Sequence, residues 1–190
     1  LLIDAGCEVG SYASDITRTP DRDPPFFFLK SLDSLVPGGG SVSYPRATDD
    51  LHHEIEMVVA IGVSGSEIAK EDAQDHVYGY AVGLDLTRRD LQSQAKKMKR
   101  PWDFGKSFEQ AAPITAITQT KSCEHLSSGE ISLTVNDKVQ QIGNLNEMIW
   151  NVPEIISFLS QFYQLEAGDL IFTGTPAGVG PLHRGDKLIG

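Results

Sequence analysis

The chain has 190 residues, 40% of them apolar and 22% charged, an ordinary globular composition that excludes disorder, collagen and coiled coil as whole-chain readings. Sixteen Lys and Arg against 26 Asp and Glu give a formal charge of −10, so nucleic-acid phosphates are repelled on average and an anionic ligand needs a local positive site or a metal. No apolar run reaches the roughly 18 residues of a membrane span, no signal-peptide pattern is present, and the two cysteines, Cys7 and Cys123, form no CxxC and read as unpaired thiols in a reducing compartment.

Residues 1–25 are weakly patterned, and Thr19 to Pro25 reads as a stiff, charged connector. The chain begins at Leu1 without Met and stops at Gly190 inside what reads as a strand, so a trimmed chain is expected. Phe26-Phe27-Phe28-Leu29 is a short run expected to be buried, ending at Lys30, and Val36 to Gly40 is a turn. From His53 to Ile61 the apolar residues Ile55, Met57, Val59 and Ile61 recur with period two, predicting a strand with one apolar face. Glu54 and Glu56 then share the opposite face.

A short helix is expected over residues 69–76, and a strand over 78–86. Thr87 is placed to cap a helix over Arg88 to Lys99 that stops before Pro101. Strands follow at 114–119 and in a hairpin, 130–135 with 139–142, turning at Asn136-Asp137-Lys138. Residues 144–148 suit a helical turn. Residues 152–165 suit a helix with Pro153 in its first turn and a stripe of Ile155, Ile156, Leu159, Phe162 and Tyr163. A strand over 169–173 enters the glycine-rich loop 174–180. Strands outnumber helices without regular alternation, which predicts an α+β fold with a β-rich core.

Glu54-Ile55-Glu56 carries the clearest chemistry. Carboxylates two residues apart on one strand face sit about 6–7 Å apart, at about 3.3 Å per residue. Like charges held so close need a cation or a proton, and hard oxygen ligands favour Mg²⁺, Mn²⁺ or Ca²⁺ over zinc. A solvated strand face is the bland alternative. His52 and His53 are either ligands, acid–base groups or structural. Asp85 closes an apolar strand, which suits a ligand at a sheet edge and equally a charge at a helix start. Lys106, between aromatics and glycine, suits partial desolvation with a lowered pKa, or a plain surface position. The loop 174–180 suits backbone contact with a ligand but lacks the Gly-Lys-Ser/Thr ending of a P-loop. No GxSxG nucleophile elbow is present, and Cys123 with His125 is too close in sequence for a good nucleophile–base geometry.

Taken together, five segments resemble the fumarylacetoacetate hydrolase superfamily. They are Pro24 to Lys30, Asp50 to Gly62 with its Asp-Leu-His-His-Glu-Ile-Glu run, Gly83 to Gln92, Arg100 to Phe108 and Gly168 to Gly180. The resemblance implies a roll of mixed β-sheets, residues 1–25 as a remnant of a lid region, and residues 26–190 as the catalytic domain, cut short at its C-terminus. It implies that Glu54, Glu56 and Asp85 bind one Mg²⁺ or Mn²⁺ per subunit. It further implies that Lys106 and Glu54 act in catalysis and that Lys30, Arg89, Gln92 and Thr175 line the substrate pocket. The substrate implied is a small anionic dioxo acid, an acylpyruvate such as fumarylpyruvate, cleaved to fumarate and pyruvate in aromatic catabolism. A homodimer in the cytoplasm, or in the mitochondrion of a eukaryote, is implied as well, with neither nucleic acid nor membrane as partner.

One segment departs from the family pattern. Relatives carry Arg-Asn-Tyr, then a His and, three residues on, a Glu that together activate water. Here Tyr12-Ala13 is retained, but Asp15 stands at the His position and Arg18 at the Glu position. Three explanations stand side by side. The lid is absent from a trimmed chain; Asp15, His52 or His53 serves as the base; or the protein decarboxylates or tautomerises a keto acid such as oxaloacetate, or isomerises a dienoate, without hydrolysis. A metal or organic-acid binder without turnover is the non-enzymatic alternative.

Overall fold

The computed structural model describes residues 1–5 and 24–190, so the readings at Cys7, Tyr12, Ala13, Asp15 and Arg18 lie outside the described residues. Strands β1 (Leu2–Ala5), β2 (Phe27–Lys30), β3 (Leu35–Pro37), β4 (Leu51–His53), β5 (Ile55–Ile61), β6 (Val77–Leu84) and β7 (Thr87–Arg88) precede helices α1 (Arg89–Met98) and α2 (Asp103–Lys106). Next come β8 (Ala112–Ile114), β9 (Thr118–Gln119), α3 (Thr120–Cys123) and the hairpin β10 (Glu130–Val135) with β11 (Lys138–Asn144). Helix α4 (Val152–Leu159) and strands β12 (Leu170–Phe172), β13 (Gly180–Leu182) and β14 (Leu188–Ile189) complete the chain.

Among the described residues the strands form one eight-stranded mixed sheet, ordered β2-β1-β12-β5-β6-β8-β3 with β9 beside β6. Two three-stranded sheets, β11-β10-β14 and β13-β4-β7, pack around it. This is a β-rich α+β roll, as the sequence predicts.

The centre of the sheet is buried on both faces, not one. Every residue of β5 is buried. Met57, Val59 and Ile61 pack with Ile155, Ile156 and Leu159 of α4, while Val58 packs with Phe172 and Ala81 on the other side. Val58 and Ala60 are also apolar, so the run is nearly continuous, as in a strand covered on both faces. A Cβ on Gly83 would lie 2.6 Å from the Phe172 ring, so glycine there makes room for this buried aromatic.

Several boundaries differ from expectation, each for a local reason. Helix α4 begins in a capping box: the Asn151 side chain accepts from the Glu154 N–H (3.0 Å) and the Asn151 N–H donates to Glu154 (3.0 Å). It stops at Leu159 because Ser160 is tied elsewhere, accepting from the Ile68 N–H at 2.9 Å. Leu165 then bridges to Gly65, leaving Phe162 65% exposed and outside the apolar stripe. Residues 73–76 form a single 3₁₀ turn in place of a helix.

Thr87 pairs with His52 as part of β7, and its hydroxyl donates to the Asp85 carbonyl at 3.2 Å, so it does not cap α1. The strand expected over 114–119 is split between β8 and β9. The run Phe26–Leu29 is only half-buried, because β2 is an edge strand pairing with β1 alone. In the hairpin, Asn136 and Asp137 have φ of 52° and 63°, the left-handed pair that a tight two-residue turn requires. No helix among the described residues is long and apolar enough to cross a membrane.

Candidate metal centre and active site

Strand direction assembles the site. β1 runs parallel to β12, which is antiparallel to β5, which is antiparallel to β6. One edge of the sheet therefore collects the end of β1 (Asp4), the start of β5 (Glu54, Glu56), the residue after β6 (Asp85) and the loop after β12 (Gly174, Thr175). The break at Glu54 between β4 and β5 is braced by the Asp85 N–H, which donates to the Glu54 carbonyl at 2.8 Å.

Four carboxylates meet there, and all are buried: Asp4 (1% exposed), Glu54 (4%), Glu56 (1%) and Asp85 (0%). Carboxylate oxygens of Asp4, Glu56 and Asp85 all lie within 4.8 Å of one another. Lys30 Nζ is 2.5 Å from Asp85 Oδ1, and Lys106 Nζ pairs with the other oxygen of Asp85. Lys106 also donates to Glu54 Oε2 at 2.7 Å. Arg89 pairs with the second Glu54 oxygen and donates to Gln92 Oε1 at 2.6 Å. The Gly174 N–H donates to Glu56 Oε2 at 2.7 Å, so the glycine-rich loop meets a carboxylate. Among the described residues, the buried Asp4 Oδ2 has no hydrogen-bond partner.

The electrostatics follow from burial and sign. Burial, then the Asp85 charge, then Glu56 raises the Asp4 carboxyl well above the usual carboxylate range. Burial, then Asp85 and Glu54, does the same to Glu56. Burial also pushes Asp85 up, but the Lys106 and Lys30 ammoniums more than offset it and hold the group at about 2. Lys106 departs from expectation. Burial lowers its pKa, but Asp85, Glu54 and Asp4 more than reverse that, and the net shift is upward. With these carboxylates around it, Lys106 is held as an ammonium.

These residues fit a hard divalent cation. The donors are all oxygens, the nearest three share a space of ionic size, and Asp4 Oδ2 has no partner among the described residues. A cavity of about 10 Å³ beside Asp4, Glu54, Glu56 and Lys106 has room for roughly one water-sized body. If all four carboxylates and the cations Lys30, Lys106 and Arg89 are charged, the site sums to −1; a divalent ion makes it +1, which suits an anionic ligand.

Metal binding is expected to strengthen as pH rises, because it needs Asp4 and Glu56 ionised. The sign agrees with linkage. Groups raised on folding stabilise the metal-free protein below their unfolded pKa, about 4, and lose that contribution as pH climbs through the raised value. The gain in melting temperature from saturating Mg²⁺ should therefore be larger at pH 8 than at pH 5. Differential scanning fluorimetry reads this, and an equal gain at both values contradicts it.

The sequence-derived set is thus brought together: Lys30, Glu54, Glu56, Asp85, Arg89, Gln92, Lys106 and Thr175 all surround this edge. Asp4 was not anticipated; its only signal is a lone charge inside the apolar run Leu1 to Ala5. Phe28 and Trp102 form an aromatic wall, ring centroids 6.0 Å apart, with the Lys106 ammonium 5.3 Å from the Phe28 centroid. His52 and His53 are turned to structural partners: His52 pairs with Asp50 at 2.9 Å, and His53 with Gln141 at 2.8 Å. Cys123 and His125 lie on the far flank of β6, beside Tyr80. A larger cavity of 610 Å³, bordered by Tyr44, Leu84 and Arg184, shares no residue with the site.

Fold and site together define a buried carboxylate cluster, fit for a divalent ion, at the edge of a curled mixed sheet. The family model "Fumarylacetoacetate (FAA) hydrolase C-terminal" matches residues 6–189, and the chain belongs to this family. It is 46% identical over 165 residues to a fumarylpyruvate hydrolase of a Ralstonia species, covering 87% of this chain and 85% of that protein. It is 41% identical over 188 residues to a mitochondrial oxaloacetate decarboxylase of Dictyostelium discoideum, covering 98% and 86%. A crystal structure of Pseudomonas aeruginosa fumarylpyruvate hydrolase in complex with Mn²⁺ and pyruvate superposes with a TM-score of 0.91 at 43% identity, covering 98% of this chain and 82% of that one.

Proposed function

We propose that the protein hydrolyses the C–C bond of an acylpyruvate, with fumarylpyruvate as substrate and fumarate and pyruvate as products. The observation that carries this reading is the buried cluster of Asp4, Glu54, Glu56 and Asp85 faced by Lys30, Lys106 and Arg89. Glu56 and Asp85, with Glu54 and Asp4 completing the oxygen set, hold one Mg²⁺ or Mn²⁺. When bound, that ion supplies positive charge to the oxygens of the 2-oxo acid end of the substrate.

The remaining roles fall to the chain itself. Water adds to the distal carbonyl, the C–C bond breaks, and the electron pair leaves as pyruvate enolate, which takes up a proton. Lys106, held as an ammonium by Asp85 and Glu54, stabilises the developing enolate charge. Arg89, kept in place by Glu54 and Gln92, and Lys30 draw the carboxylates of a dianionic substrate into an otherwise acidic protein. The flat faces of Phe28 and Trp102 suit a conjugated, planar substrate. The reading includes a homodimer in the cytoplasm, checked by light scattering.

A second reading, decarboxylation or tautomerisation of oxaloacetate, is favoured by one observation. Neither His52 nor His53 lines the cavity beside the carboxylates, so among the described residues no imidazole is placed there to activate water. Comparing kcat/KM for fumarylpyruvate and oxaloacetate with Mg²⁺ decides between them. Preference for fumarylpyruvate by at least tenfold is expected; the reverse preference overturns the hydrolase reading.

A further inference from the structure

We infer that Gln141 is a positioning residue for substrate binding, acting through the loop at Gly174 to Pro176. The inference rests on the reading of the metal centre as the acylpyruvate site. Gln141 sits on β11, is 0% exposed, and lies among exposed neighbours on its own strand.

Its amide is fully committed. The oxygen accepts from the Ile55 N–H at 3.1 Å and from His53 Nδ1 at 2.8 Å. A backbone N–H can only donate, so this contact fixes which end of the amide is oxygen and makes His53 Nδ1 a donor. The nitrogen then donates to Thr175 Oγ1 at 2.8 Å and to the Pro176 carbonyl at 2.9 Å. Thr175 in turn gives its own proton to the Ile55 carbonyl at 2.8 Å. With that proton committed, the Thr175 hydroxyl meets a substrate only as an acceptor. One side chain therefore locks the start of β5, which carries Glu56, to the loop whose Gly174 and Thr175 border the site cavity.

The hairpin is shaped for this contact. Leu133 pairs with Gln141 and Thr134 with Val139, so Gln140 is the extra residue of a β-bulge. The bulge brings the Gln140 carbonyl against Gly178, where a Cβ would lie 2.2 Å away. Two residues beyond Gln141, a Cβ on Gly143 would lie 2.7 Å from Pro176. Two glycines thus let β11 lie directly on the loop, with Gln141 between them.

The test uses Gln141→Glu, which keeps both acceptor contacts to Ile55 and His53 but loses both donors to the loop. Mn²⁺ affinity is measured alone, followed by pyruvate affinity of the Mn²⁺-loaded protein and the melting temperature. With both donors to the loop lost, pyruvate binding should weaken by at least about tenfold, with KM for fumarylpyruvate rising in parallel. Mn²⁺ affinity and kcat should each change by less than about threefold, because uniform substrate binding alone is lost. Pyruvate affinity unchanged in the folded variant, or Mn²⁺ and pyruvate affinity falling together, overturns the inference. If Gln141→Glu does not fold, Gly143→Ala, whose Cβ would press on Pro176 from the same strand, displaces the loop without touching the site and must give the same split. Wild-type protein that binds no pyruvate and turns over no fumarylpyruvate overturns the functional reading and this inference with it. Normal wild-type binding with an unaffected variant overturns this inference alone.

Discussion

Lys106→Met is expected to lower kcat by about 10²–10³-fold, the usual cost of removing one preorganised charge from a developing oxyanion. The same change should destabilise the metal-free protein by about 3–5 kcal/mol, because it strands buried partners. Lys106 is 3% exposed and holds Asp85 and Glu54 simultaneously. Without it, two buried carboxylates face each other beside Asp4 and Glu56, with Lys30 and Arg89 as the remaining cations. A divalent ion should then replace part of the missing charge, so Mg²⁺ should raise the melting temperature of the variant more than that of wild type. Calorimetry with and without Mg²⁺ reads the stability, and single-turnover kinetics read the chemistry. A variant with wild-type kcat would remove Lys106 from the reaction.

Asp85→Ala is expected to abolish metal-dependent turnover, a loss of at least about 10³-fold, since it removes a proposed metal contact and the partner of both lysines at once. Asp85 is 0% exposed, is held at about 2 by Lys106 and Lys30, and stays ionised through the physiological range. Its stabilising contribution is present above the unfolded carboxylate pKa and fades as pH falls toward 2. Asp85→Ala should also weaken Mn²⁺ binding, read by electron paramagnetic resonance of free Mn²⁺. Asp4→Asn offers a graded comparison: it keeps the shape but removes one charge, and should weaken Mn²⁺ less than Asp85→Ala does. Equal Mn²⁺ affinity in wild type and Asp85→Ala would place the metal elsewhere.

Much of this site was legible in the sequence because its charges sit where charges are costly. Glu56 interrupts a continuous apolar strand, Asp85 ends one, and Lys106 lies between aromatic residues. What stayed hidden is neutral or very local. Gln141 lies in the polar run Lys138 to Gln141, where only the tertiary contact with β5 and the loop shows its use. Asp4 sits on a four-residue strand, too short for periodicity to register. The raised pKa of Lys106 is not legible locally, because the flanking sequence shows the aromatics but not the carboxylates, which arrive from the ends of β1, β5 and β6. Fold class followed from strand patterning, whereas boundaries at Thr87 and Ser160 were set by hydrogen bonds to distant segments.

We propose that the buried carboxylate cluster holds a divalent ion with which the protein cleaves an acylpyruvate. The most direct test is the loss of the fumarylpyruvate enol absorbance with purified protein, in Mn²⁺ and in EDTA, with products identified by NMR. The expected result is stoichiometric fumarate and pyruvate in Mn²⁺ and none in EDTA. Undiminished turnover in EDTA, or no cleavage by folded, Mn²⁺-loaded protein, would contradict the claim.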